Sequence, residues 1–219
     1  MIYKSPYFVD IDVILRRGGH INRSDITLYQ FLCEHFEELK SFYEKYQCTL
    51  VQHPDGFFFL LSNGGVLKTK LLPKTCMHLG QFIALKMLDP EITRSSGKIS
   101  IPQLLQFMEN TVPRETLLAI YAPKQREALQ YERITEEIMR ALGKLKDLRF
   151  IKIVGDAIRP TEAIYRFMET AKHDNNPDTA TREMLLMQRG IEFNTGEDAE
   201  ALQEEEEREG EGEENESED

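Results

Sequence analysis

Apolar and polar positions change rhythm along this chain, and each change marks an element. Val13-Ile14-Leu15, preceded by Asp10 and Asp12, predicts a short helix ended by Gly18-Gly19, because glycine enters the left-handed backbone region at little cost. After a turn in which Asn22 or Ser24 is placed to cap, Leu32, Phe36, Leu39, Tyr43 and Tyr46 recur at steps of three and four, one face of a helix. Strands over 49–53 and 57–61 flank Pro54-Asp55-Gly56, where proline presets the turn and glycine accepts a positive φ. Helix, helix, helix, hairpin is the order of a winged helix.

The same order returns without sequence identity. Ser62-Asn63-Gly64-Gly65 reads as a linker. Leu79, Phe82, Ile83, Leu85 and Leu88 predict a helix that stops near Asp89-Pro90, since proline disfavours helical geometry in the residue before it. Ser100 caps a second helix with Leu104, Leu105 and Met108 inward. A long third helix carries Leu129, Ile134, Ile138, Leu142, Leu145 and Leu148 on one side. Residues 150–154 and the segment around Ile158 make a hairpin across Gly155-Asp156. Thr161-Glu162 leads into another helix through Ile164, Phe167 and Met168, and Asn176-Pro177-Asp178 opens one that closes at Gly190. The expected fold class is mainly α with small β-hairpins (α+β). Two tandem winged-helix domains, 1–62 and 63–172, are followed by a helical extension, 173–196, and a disordered acidic tail, 197–219.

Charge sharpens that division. The 219 residues have a formal net charge of −11, yet residues 197–219 hold fourteen acids and a single base, Arg208, which leaves residues 1–196 mildly basic at +2. A segment of Glu and Gly with few large apolar residues cannot offset the entropy of ordering. It is either a solubilising appendage or a mimic of nucleic-acid charge. No apolar run approaches the ~20 residues of a membrane span, and the N-terminus lacks the basic-then-apolar order of a signal peptide, so a cytoplasmic protein is expected. Cys33, Cys48 and Cys76 lie among apolar residues, as reduced thiols do. Together with His35, His78 and His53 they can be drawn as a zinc site, but C-x-H lacks the C-x₂₋₄-C knuckle, and no metal or other cofactor is expected.

Catalytic motifs are missing. There is no phosphate-binding G-x-x-x-x-G-K-[ST], no dinucleotide fingerprint and no G-x-S-x-G, and His20, His35, His53, His78 and His173 show no paired metal spacing. A non-enzymatic protein is expected. The informative stretch is basic. Arg140 and Lys144 lie opposite the leucines of the long helix, and Lys146, Arg149 and Lys152 carry the series into the strand, with Arg159 and Arg166 after the hairpin. The third helix and wing of a winged helix both reach a duplex, so these seven are candidate DNA contacts. The alternative is a solvated face with Glu137 paired to Arg133 and Glu136 to Arg140. The third helix of the first domain is acidic through Glu34, Glu37, Glu38 and Glu44, which repels DNA. Its surplus aromatics Phe31, Phe42, Phe57 and Phe59 point to a partner or dimer interface, or to an inner layer packed on the other domain.

Two series of short runs, one in each half of the chain, carry a family resemblance. Pro6-x-Phe8, then Leu15-Arg16-Arg17-Gly18-Gly19-His20-Ile21, Phe31-Leu32, Phe36-Glu37-Glu38-Leu39-x-x-Phe42-Tyr43 and Pro54-Asp55-Gly56-Phe57-Phe58-Phe59-Leu60 resemble the first half of the MukE family. Leu142-x-Lys144-Leu145-Lys146-x-Leu148, Arg159-x-Thr161-Glu162-x-x-Tyr165-Arg166-Phe167 and Pro177-Asp178 resemble its second half. Asp147 and Ala157 stand where that family has basic residues. The resemblance implies a tandem winged-helix homodimer that binds a kleisin of the MukF kind, and through it an SMC-like ATPase of the MukB kind, in chromosome condensation and segregation on the nucleoid. It also implies that Lys144, Lys146, Arg159 and Arg166 lie near DNA. Arg140, Arg149 and Lys152 rest on charge alone. The competing reading is a tandem winged-helix transcription regulator, which requires base-reading side chains near the start of a neutral or basic recognition helix.

Overall fold

The computed structural model describes residues 2–64, 67, 72–94, 97–123 and 130–168. All of them belong to one unit, Met1–Asn175. Leu129, the helix expected from Asn176 and the acidic tail lie outside the described residues.

The first half runs α1 (Pro6–Arg16), β1 (Ile21–Asn22), α2 (Ile26–Glu34), α3 (Phe36–Glu44), β2 (Cys48–His53) and β3 (Phe57–Ser62). Pro6 at the first helical position starts α1 earlier than the Asp10 expected, because a missing N–H costs nothing there. The stripe from Leu32 to Tyr46 is two helices. His35 leaves helical geometry at φ −118° and ψ 23°, and the break lets Leu32 of α2 and Leu39 and Tyr43 of α3 reach one core with Ile11, Leu15, Leu50 and Phe58. Neither Asn22 nor Ser24 caps α2; Asp25 holds that position, and Asn22 is a strand residue. β1 pairs with β3 through Ile21↔Phe58 and Asn22↔Phe57, completing a sheet of order β1-β3-β2.

The second half repeats the plan with two added helices: α4 (Lys74–Lys86), α5 (Pro90–Arg94), β4 (Ile99–Ser100), α6 (Ile101–Thr111), α7 (Arg114–Tyr121), α8 (Gln130–Asp147), β5 (Ile151–Val154) and β6 (Ala157–Pro160). Its sheet, β4-β6-β5, has the same order. Helix, strand, helix, helix, hairpin with the first strand beside the last is winged-helix topology, twice over. The short strands β1 and β4 escape a reading by periodicity because two residues show no alternation. Leu88 is 44 % exposed and lies past the end of α4, so it is no part of that helix's inner face. The helix expected after Thr161 is a 3₁₀ segment, Glu162–Met168, that packs on α4. Phe167 covers Gly80 there: a Cβ built on Gly80 meets the ring at 2.5 Å, so any larger residue requires the buried Phe167 ring to shift.

Candidate nucleic-acid interface

On α8 charge and burial separate cleanly. Ile138, Ala141, Leu142 and Leu145 are buried, and the helix packs on α4 and α7. Glu136, Arg140, Lys144 and Lys146 are exposed. The carboxylate of Glu137 is shared by Arg133 at 2.8 Å and Arg140 at 2.7 Å, while Glu136 stands 3.3 Å from Arg133. Arg140 therefore pairs at a spacing of three with Glu137, in place of the expected Glu136. Lys144, Lys146 and Arg159 are exposed and form no ion pair with any described residue.

The other three candidate cations lie at a seam with the first half. α8 ends in a Schellman motif: Arg149 N–H donates to Lys146 O at 2.9 Å and Phe150 N–H to Leu145 O at 2.9 Å. Arg149 occupies the left-handed position at φ 62°, where glycine is unstrained and other residues are held at a cost of about 1–2 kcal/mol. Its guanidinium lies 3.4 Å from Asp25 Oδ2. Lys152 Nζ lies 3.2 Å from Asp25 Oδ1 and donates to Ser24 Oγ at 2.8 Å. Arg166 donates to His20 Nε2 at 2.7 Å and stacks over the Phe59 ring at 3.9 Å.

His20 and Asn22 complete the seam. His20 Nδ1 donates to Leu148 O at 2.8 Å, and with Nε2 accepting from Arg166 the ring is held neutral with its proton on Nδ1. Burial, and to a lesser degree the Arg166 charge, push its pKa down to about 3 even against the Leu148 hydrogen bond, which favours the proton. Asn22, fully buried, donates from Nδ2 to Arg149 O at 3.1 Å and accepts at Oδ1 from Ala163 N–H at 3.0 Å. Phe150 packs against His20 with ring centroids 4.3 Å apart.

The aromatic expectation divides here. Phe57 and Phe59 are 0 % and 6 % exposed, covered by His20 and, over Phe59, by Arg166; they form an inner layer toward the second half and present nothing to an outside partner. Phe58, pointing the other way, belongs to the first core, so this strand is buried on both faces. Phe31 and Phe42 are half-buried instead, Phe31 edge-on to Tyr7, and Phe42 packed on Tyr3 and Phe8. Beside them Tyr3, Tyr7, Val9 and Val13 are exposed. No signal within a sequence window marks His20, Asn22 or Asp25, because their partners across the seam lie 124 to 146 positions away.

Among the described residues no three His, Cys, Asp or Glu side chains gather to hold a metal ion. Cys48 and Cys76 are buried singly and Cys33 is exposed. The family model for condensin complex protein MksE matches residues 6–172, spanning both winged-helix motifs and the seam between them. The chain belongs to the MksE family. It is similar to the chromosome partition protein MukE of Histophilus somni, 28 % identical over 92 % of this chain and 81 % of that protein. The MukE of Pasteurella multocida is 26 % identical over 92 % of this chain and 90 % of its own length. That of Vibrio cholerae is 27 % identical over 74 % and 72 %. The MksE match includes residues 62–130, where the sequence shows no familiar motif.

Proposed function

We propose that this condensin-family chain is an adaptor without chemistry of its own. As a homodimer it engages a kleisin of the MukF kind, through it an SMC-like ATPase of the MukB kind, and it touches nucleoid DNA without reading sequence. The observation that supports the DNA contact best is the row of exposed cations without described partners on the second winged helix, Lys144, Lys146 and Arg159, with Arg140 beside them. α3, the equivalent helix of the first half, exposes Glu37, Glu38 and Glu44, so only the second half favours phosphate. The apolar face of α1 around Val9 and Val13, with Phe31 and Phe42, supports a protein interface on the first half.

Lys144→Glu with Lys146→Glu is expected to weaken binding to unrelated duplexes about equally and to flatten the log–log salt dependence by about 0.9 for each phosphate no longer neutralised, measured by fluorescence anisotropy. Unchanged affinity in a folded variant overturns the DNA reading. A strong preference for one duplex favours a transcription regulator instead. Copurification of the cognate kleisin at moderate salt is the parallel check, because a mainly apolar interface is little screened.

A further inference from the structure

Lys152 on β5 and Arg159 on β6 are directly paired across the hairpin, so their side chains stand on the same face of the sheet. Like charges placed this way repel, and an anion is expected close by. One is present, and it comes from the other half of the chain: Asp25 puts Oδ1 3.2 Å from Lys152 and Oδ2 3.4 Å from Arg149, with its carboxylate steadied by the Asn22 N–H at 3.2 Å. Ser24 adds its hydroxyl to Lys152 at 2.8 Å. The carboxylate is mostly covered at 15 % exposure, whereas the Arg149 and Lys152 side chains keep 34 % and 44 % of theirs and remain open to solvent. The backbone at Arg149 favours glycine, so this side chain is held at a conformational cost while its guanidinium stands on Asp25.

We infer that Asp25 is a built-in counter-anion that withholds Arg149 and Lys152 from an external phosphate backbone and so sets the chain's duplex affinity low from within. The inference rests on the duplex-binding reading above. A phosphate drawn to Arg159 comes alongside Lys152 and must compete with a carboxylate already seated there. Ser24 and Asp25 thus act as the first half's contribution to a surface whose positive charge belongs to the second.

The test is duplex binding by the full-length chain over a salt series. In Asp25→Ser a short side chain still offers the Asn22 N–H an oxygen while the charge is gone; Asp25→Asn is the isosteric companion, and each is used if its thermal transition stays cooperative. The expected result is several-fold tighter binding at low salt and a log–log slope steeper by up to about 1.8, from about 0.9 for each of two released cations. Adding Arg149→Gln and Lys152→Gln to the Asp25 variant is expected to abolish the gain. A gain that survives those changes reflects only the altered net charge and overturns the inference. Unchanged affinity in the Asp25 variants, while Lys144→Glu with Lys146→Glu still weakens the natural chain, overturns this inference and leaves the DNA reading standing. Absence of any duplex binding by the natural chain at low salt removes both.

Discussion

At the scale of single residues, the seam holds a histidine that must stay neutral. The folded-state pKa of His20 is about 3 and that of His78, buried by α4 against Tyr121, about 4, both below the ordinary 6.5 and both chiefly from desolvation. Between those values and 6.5 the unfolded chain binds more protons than the folded one, so stability present above pH 6.5 is lost as pH falls. From pH 6.5 to pH 5 each histidine is expected to remove about 2 kcal/mol, at 1.36 kcal/mol per unit. Urea unfolding at pH 7 and pH 5 checks this: His20→Gln should narrow the difference between the two, and an unchanged difference would remove His20 from the account. Gly80 makes a second residue-scale case. Alanine favours a helix interior by about 0.5–1 kcal/mol, but its Cβ meets the Phe167 ring, and overpacking typically costs about 1–3 kcal/mol. Gly80→Ala is therefore expected to lower the midpoint of thermal unfolding; a rise would mean that Phe167 moves aside freely.

Elements differ in what holds them. α6 begins with a capping box in which Ser100 Oγ accepts from Gln103 N–H at 3.3 Å and Gln103 Oε1 accepts from Ser100 N–H at 3.0 Å. Ser100 is also a β4 residue paired with Ala157, so the cap ties a helix start to the sheet. Ser100→Ala is expected to cost about 1 kcal/mol. α8 depends on its buried stripe instead. Its ion pairs around Glu137 join a partly covered carboxylate to a half-buried Arg133 and an exposed Arg140, both guanidiniums reached by water, so Glu137→Gln should change stability by about 1 kcal/mol or less, whereas Leu142→Ala should cost about 2–5 kcal/mol. Denaturant midpoints of the three variants rank the terms, and a Glu137 effect as large as that of Leu142 would contradict the assignment. α4, α6 and α8 were legible because a stripe at steps of three and four states burial directly, whereas α5 and α7 escaped the reading and the break between α2 and α3 at His35 left no mark on the stripe. β1 and β4 were not, since two residues have no period.

At the scale of the whole molecule, the halves are joined by buried polar bonds as well as by packing. Removing the Asn22 side chain leaves the Ala163 N–H without its acceptor, which costs about 1–3 kcal/mol when buried, and takes from Arg149 O one of two hydrogen bonds, the other coming from Thr161 Oγ1. Asn22→Ala is therefore expected to destabilise both halves together. Calorimetry of the natural chain should show one transition for the unit Met1–Asn175, with the variant shifting all of it. Two separable transitions in the natural chain would show that the seam does not couple the halves. The candidate site was half legible at this scale. Lys144, Lys146 and Arg159 stand exposed on the expected helix and hairpin, but Arg149, Lys152 and Arg166 reach back to Asp25, Ser24 and His20, which no local reading connects to them.

The order of hydrophobic stripes and turns in the chain alone determined the winged-helix plan and its repetition, because burial along a helix or strand is a local, periodic demand. Charge counting likewise located the basic stretch, since net charge is additive along the sequence. The third strand of each sheet, the inward fate of Phe57 and Phe59, and the diversion of three cations to the seam were decided only by tertiary structure. A strand pair, a two-sided sheet and an ion pair each need two segments brought together, and which segments meet is settled by packing between parts of the chain tens of residues apart for the strands and more than a hundred for the seam, rather than by any window of sequence.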